Sequence, residues 1–127
     1  MENVEPTRAQ LEILQVLWKY GPSTVRFVND QLNRQQNQSL SYTSTLKLMQ
    51  IMHEKGLVHR DESNMTHVYS ALLEEGKTKS IVLKKFVDSV YEGSAKSLML
   101  ELLGNEKMNE KDMDTIKKML DRLDEDQ

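Results

Sequence analysis

The spacing of apolar residues changes once along this chain, at Gly56, and that change restricts the fold more than any other feature. Before it, apolar residues recur three and four apart, the helical period. After it come two short β-favouring stretches, residues 57–60 and 67–71. They flank "DESNMT", whose Ser63-Asn64 suits a turn. The first seventy or so residues therefore predict helix, helix, helix, hairpin. Such a layout buries one small core and leaves the third helix and the hairpin on the same side.

Each helix carries its own punctuation. In "PTRAQLEILQVLWKYGP", Thr7 is a candidate N-cap and Gln10, three residues on, completes a capping box. Leu11, Leu14, Leu17 and Trp18 form one apolar face, and Gly21-Pro22 ends the helix. "STVRFVNDQLN" predicts a second helix capped by Ser23, with Val25, Val28 and Leu32 inward. "RQQNQSL" is polar and without period, hence a loop. The third helix lies in "SYTSTLKLMQIMHEKG", capped by Ser41 and stopped by Gly56.

From Glu74 onward the pattern is helical. Val82, Phe86 and Val90 recur four apart, with Leu83 and Val87 beside them. Gly93-Ser94 breaks the helix, and Ser94 can cap a new segment in which Leu98 and Leu102 continue the stripe until Gly104. Asn109 caps a last helix with Met113, Ile116, Leu120 and Leu123 on one face. Short amphipathic helices without a large core partner are marginal alone. This half is therefore expected to be a dimerisation arm, with Phe86, Val90, Leu98, Leu102, Ile116 and Leu120 in the contact. The expected division is a helix-and-hairpin domain at residues 1–73 and a helical dimerisation domain at 74–127.

Bulk properties narrow the class. The chain has 127 residues, 38% hydrophobic and 29% charged, an ordinary globular composition. No apolar run approaches the ~20 residues a membrane helix needs, and no signal peptide opens the chain. With zero cysteines there is no disulfide or thiolate metal site, which fits the cytoplasm. The net charge of -3 does not advertise nucleic acid. Its distribution says more. Residues 1–71 carry seven Lys and Arg against seven Asp and Glu, whereas the remainder carries ten against thirteen. Any DNA contact must be local and in the neutral front half.

The third helix offers a place for one. At 100° per residue, Gln50 lies roughly 20° to one side of Thr43 and Lys47 roughly 40° to the other, with Glu54 between them. Thr45, Leu48, Met49 and Met52 lie opposite, on the core side. Thr43, Lys47 and Gln50 thus form an outward stripe, with Ser44 near its edge. Lys donates to guanine, Gln pairs with adenine, and Thr offers a hydroxyl or a methyl. Free N–H groups at the helix start suit a phosphate. Early residues of the second helix of a helix-turn-helix enter the major groove, and Arg60 in the hairpin is placed for a phosphate or minor-groove contact. A polar stripe is also what any surface helix shows. Leu46 and Ile51 flank the stripe outside the expected core, which suits thymine methyls or equally a protein partner. A protein-interaction module without sequence-specific DNA binding is therefore the alternative.

At this point the chain resembles a known family. An early helix ending in "VLW", the segment "SYTSTLKLMQIMHEKGLVHRD", the "HVY" of the second hairpin strand and the "VYEG" turn together resemble the penicillinase-repressor family. These are the winged-helix repressors of β-lactamase and methicillin-resistance operons, with copper-responsive relatives. The resemblance covers nearly the whole chain. It implies a mainly α fold with a small β-hairpin, a winged helix-turn-helix followed by a dimerisation domain. It further implies a homodimer that binds a palindromic DNA operator and blocks transcription, with base contacts on Thr43, Ser44 and Lys47 and wing contacts around Arg60. Family members often carry lysine at the position of Thr43 and arginine at that of Ile51, so operator preference is expected to differ. In the resistance repressors, induction is cleavage of an Asn-Phe bond in the dimerisation region by a sensor protease. The corresponding pair here is Glu101-Leu102, which departs from that bond. The copper-responsive relatives use a cysteine cluster, which this chain lacks.

Other constellations carry bland readings. His53, His59 and His67 have no i,i+4 pair or carboxylate support and read as ordinary surface or wing residues, with no metal. The methionines, Met49, Met52, Met99, Met113 and Met119 among them, sit at helical spacing and read as packing. The acidic "DRLDEDQ" reads as a solvated helix end. There is no glycine-rich phosphate loop, HExxH, GxSxG or cysteine nucleophile. No enzyme and no cofactor are expected.

Overall fold

The computed structural model describes residues 5–37, 39–105 and 109–125. The chain divides into two compact units, one up to Val82 and one from Leu83 onward. The first unit holds α1 (Arg8–Tyr20), β1 (Ser23–Thr24), α2 (Val25–Gln36), α3 (Tyr42–Glu54), β2 (Val58–Asp61), β3 (Val68–Ala71) and the beginning of α4 (Glu75–Val90). The second holds the rest of α4, then α5 (Ala95–Asn105) and α6 (Glu110–Glu125). The arrangement is a winged helix followed by helices, the fold class that the family resemblance implied.

Local chemistry sets the helix starts. The Thr7 side chain accepts from the Gln10 backbone N–H at 3.2 Å, and the Gln10 side chain accepts from the Thr7 N–H at 2.9 Å. That is the expected capping box, and it satisfies two of the N–H groups a helix start leaves open. Ser41 caps α3 by accepting from the Ser44 N–H at 3.1 Å. Ser94 and Asn109 cap α5 and α6, accepting from Ser97 and Asp112. Gly56, at φ 78°, provides the left-handed turn by which the chain leaves α3 for the wing.

Three boundary expectations need correcting, the first being the loop expected from Arg34, since α2 runs on through Arg34 and Gln35 to Gln36. Ser23 does not cap α2; Thr24 does, with its Oγ1 accepting from the Phe27 N–H at 3.1 Å. Ser23 is instead a β1 residue paired with Tyr69, and its hydroxyl donates back to the Gly21 carbonyl at 2.8 Å. Gly104 does not stop its helix, since α5 runs through it to Asn105. With nine residues of helix before it and no positive φ to enforce a turn, this glycine sits inside α5 rather than ending it.

The wing is more than a hairpin. β2 and β3 pair antiparallel with Arg60 opposite Tyr69, and β1 adds to the far edge of β3, giving the order β1-β3-β2. Two residues are too few to show an alternation in sequence, so β1 arises from tertiary pairing alone. The core lies between the three front helices and this sheet. Ile13, Leu14, Val28, Met49 and Met52 are completely buried, and Leu57, Val58 and Tyr69 nearly so. Fully burying side chains of this size contributes about 1.5–3 kcal/mol each before entropy is counted. Trp18 adds a polar tie, its Nε1–H donating to the Leu73 carbonyl at 2.9 Å. The expected face of α1 was too narrow: Ile13 and Val16 are as buried as Leu14 and Leu17, while Leu11 is only half-buried.

The second unit is thinly packed. Val87 is buried, but Leu83, Phe86, Val90, Leu100 and Leu102 are all exposed apolar residues. Phe86 and Tyr91 stack at a tilt, with ring centroids 5.9 Å apart. Leu98 and Ile116 are half-buried, and the side chains of Leu120 and Leu123 lie outside the described residues.

Candidate nucleic-acid interface

Helix α3 separates its two faces as its periodicity requires. Thr45, Met49 and Met52 are buried, and Leu48 packs against the core. Thr43, Ser44, Lys47, Gln50 and Glu54 are exposed. Leu46 departs from expectation. It is half-buried and packs against the core, so it does not stand outside as a free apolar contact.

The start of α3 is locked to α2 by two asparagines. Asn29, 4% exposed, points its Nδ2 at the Leu40 carbonyl (3.1 Å), the Ser41 carbonyl (3.1 Å) and Thr45 Oγ1 (2.7 Å). An amide nitrogen has two hydrogens, so these three acceptors share them. Asn33 grips Leu40 from both ends: its Oδ1 accepts from the Leu40 N–H at 2.7 Å, and its Nδ2 donates to the Leu40 carbonyl at 3.1 Å. A turn that would otherwise bury unpaired backbone is thereby satisfied, and the first turn of α3 is held at a set position on α2. In sequence these asparagines look like ordinary polar helix residues. The signal that could have found them is their register, since Asn29 shares the inward face with Val25, Val28 and Leu32.

Side chains at the edges of the outward stripe face different surroundings. Ser44 lines a shallow groove with Ala9, Glu12 and Leu48 on the α1 side. Its N–H is already taken by Ser41, whose hydroxyl also donates to Ser44 Oγ at 2.9 Å. Gln50 instead lines a cleft of about 290 Å³ between α3 and the wing, together with Arg26, Tyr42, Leu46, Arg60 and His67. The cleft thus gathers Gln50 and Arg60, whereas Thr43, Ser44 and Lys47 do not line it.

Arg60 sits with only 23% of its side chain exposed, its Nε 3.4 Å from Glu62 Oε2 in an ion pair. Hydrogen bonding to Tyr69, its cross-strand partner, raises the Arg60 pKa further above the ordinary guanidinium value; burial opposes this and the charge of Glu62 reinforces it. Beside it, Asp61 accepts from both the N–H (2.9 Å) and the hydroxyl (2.7 Å) of Ser63. Those bonds, the backbone one first, hold the Asp61 carboxyl below its ordinary 3.8, helped by His59 and His67 and opposed by burial. Met65, at the tip of the wing, is fully exposed. Sequence reasoning also missed Arg26, whose guanidinium lies 4.4 Å over the Tyr42 ring. Among the described residues no three His, Asp or Glu side chains gather as a metal site, and no helix is long and apolar enough to cross a membrane.

Comparison with known proteins places this geometry. The methicillin resistance regulatory protein MecI of Staphylococcus aureus (strain N315) is 23% identical over 118 residues, covering 93% of this chain and 94% of its own length. The penicillinase repressor of Staphylococcus aureus is 24% identical over 122 residues, covering 96% and 95%. The penicillinase repressor of Bacillus licheniformis is 22% identical over 113 residues, covering 89% and 87%. Among solved structures, a MarR family protein from Bacillus stearothermophilus aligns with TM-score 0.52 and 22% identity over 98% of this chain and 76% of that one, which supports the fold. These relatives are named as regulators and repressors, not as enzymes. The family model described as "Penicillinase repressor" matches residues 6–122, and the chain belongs to that family.

Proposed function

We propose that this protein is a homodimeric winged-helix transcriptional repressor that binds a palindromic operator. The observation that carries this reading is α3 itself: Thr43, Lys47 and Gln50 are exposed on a helix whose opposite face is anchored by Thr45, Met49 and Met52, in a chain of the penicillinase-repressor family. In this reading α3 enters the major groove. Thr43, Ser44, Lys47 and Gln50 meet base edges, and Arg60 exchanges Glu62 for a backbone phosphate. Dimerisation uses residues 74–127, where Phe86, Val90 and Leu102 leave apolar surface exposed and Leu98 and Ile116 are half-buried; Leu120 belongs to the same proposal. Two recognition helices then reach half-sites about one helical turn apart, roughly 34–36 Å. Repression is occlusion of the promoter. If a sensor protease ends repression, the position corresponding to the family's cleavage bond is Glu101-Leu102, which is not the Asn-Phe pair cut in the resistance repressors. Glu101-Leu102 lies inside α5, so cleavage there requires this part of the helix to open first.

The test is retention of sheared DNA from the organism that encodes the protein, at near-physiological salt, followed by sequencing of what is held. Enrichment of a short palindrome upstream of a few genes supports the reading. Absence of enrichment by a protein that sediments as a dimer overturns it in favour of a protein-interaction module.

A further inference from the structure

The cleft between α3 and the wing has a charge pattern at odds with the rest of the chain. The protein carries 20 acidic and 17 basic residues. The cleft wall nevertheless includes two guanidiniums, Arg26 from α2 and Arg60 from the wing, and not one carboxylate. Hydroxyls of Thr24 and Thr66 line the same space. Thr24 Oγ1 spends a lone pair on the Phe27 N–H and keeps its own hydrogen to donate outward.

Arg26 is held in place without being neutralised. Its guanidinium lies 4.4 Å over the Tyr42 ring, and among the described residues no carboxylate pairs with it. A guanidinium stacked on an aromatic face keeps its in-plane N–H groups free, and those are the donors that grip a phosphate bidentately. The stack limits the rotamers of a long side chain, so less freedom is lost when the anion arrives. Arg60, by contrast, already leans on Glu62.

We propose that Arg26, positioned by Tyr42, is a backbone-phosphate clamp, and that one DNA strand runs through this cleft with Arg26 on the α2 side and Arg60 on the wing side. The proposal rests on the DNA-binding reading and adds the residues that would fix the register of α3 in the groove.

The test is fluorescence anisotropy with two labelled duplexes, an enriched operator and a scrambled one, each titrated between 50 and 200 mM salt. Arg26→Ala should weaken both duplexes by the same factor and reduce the slope of log K against log salt by about 0.9, the release of one counterion atmosphere contact. Tyr42→Phe should behave as wild type. Tyr42→Leu should weaken both duplexes while leaving the slope unchanged, because the charge stays and only its placement is lost. Arg26 and the Tyr42 ring are on the surface, and circular dichroism checks that each variant is folded. An Arg26→Ala variant with unaltered affinity and slope overturns the clamp, as does a loss confined to the operator, which would make Arg26 a base contact. A wild-type protein that binds neither duplex overturns the DNA reading itself.

Discussion

Replacing Asn29 with leucine, a side chain of similar size, isolates the polar lock between α2 and α3. Three acceptors face its amide nitrogen, but they do not lose equally. The Leu40 carbonyl keeps the Asn33 amide at 3.1 Å, and the Ser41 carbonyl keeps the Thr45 N–H at 3.2 Å. Thr45 Oγ1, in a residue 3% exposed, loses its 2.7 Å donor. The cost therefore falls mainly on one buried hydroxyl, about 1–3 kcal/mol, not three times that. In urea, at one fixed protein concentration, the midpoint should fall by roughly 1 M with the slope unchanged. At a temperature where both proteins are folded, the variant should also lose discrimination between operator and scrambled duplex, because the base-facing turn of α3 is no longer held at one position. An unchanged midpoint refutes the assigned hydrogen bonds. Lower stability with intact discrimination refutes the claim that Asn29 positions α3.

Lys47→Ala should relax specificity at one operator position by ~1–3 kcal/mol; an equal loss on all sequences would make Lys47 a phosphate contact instead. Phe86→Glu should shift the protein to monomer in sedimentation equilibrium, since Phe86 is 45% exposed in the single chain and its apolar face needs a partner; an unchanged dimer excludes Phe86 from the interface. The Asp61 carboxyl should titrate below 3.8, and Ser63→Ala should move it upward, followed by carbon-13 NMR of the carboxyl. Because its folded pKa is depressed, the stability it lends the wing turn is present above pH ~4 and is lost as pH falls through the lowered value. A midpoint at or above 3.8 would refute the Ser63 bonds.

What the residues disclosed in advance follows a physical boundary. Caps such as Thr7, Ser41, Ser94 and Asn109 act within three residues, so their chemistry is local and legible. The buried face of α3 was legible for the same reason, since Thr45, Met49 and Met52 repeat at the helical period. β1 was not, because Ser23 and Thr24 form a strand only when Tyr69 and Val68 arrive from more than forty residues away. That pairing also moved the cap of α2 from Ser23 to Thr24. Leu46 lies outside the expected core by its angle on the helix, yet it packs against the core and also lines the cleft. Arg26 and Tyr42 are sixteen positions apart, and no period connects them; only the packing of α2 on α3 brings ring and guanidinium together. Asn29 lies on the inward face of α2 despite its polarity, and the turn it satisfies explains why it is there.

The most direct test of the account is affinity for the enriched palindrome against a scramble of the same composition, measured across a range of salt. A sequence-reading repressor should hold the palindrome ~10³–10⁷ times more tightly at physiological salt, with both affinities falling steeply as salt rises. Equal affinity for the two duplexes, or binding indifferent to salt, would contradict the assignment of α3 as the element that reads DNA.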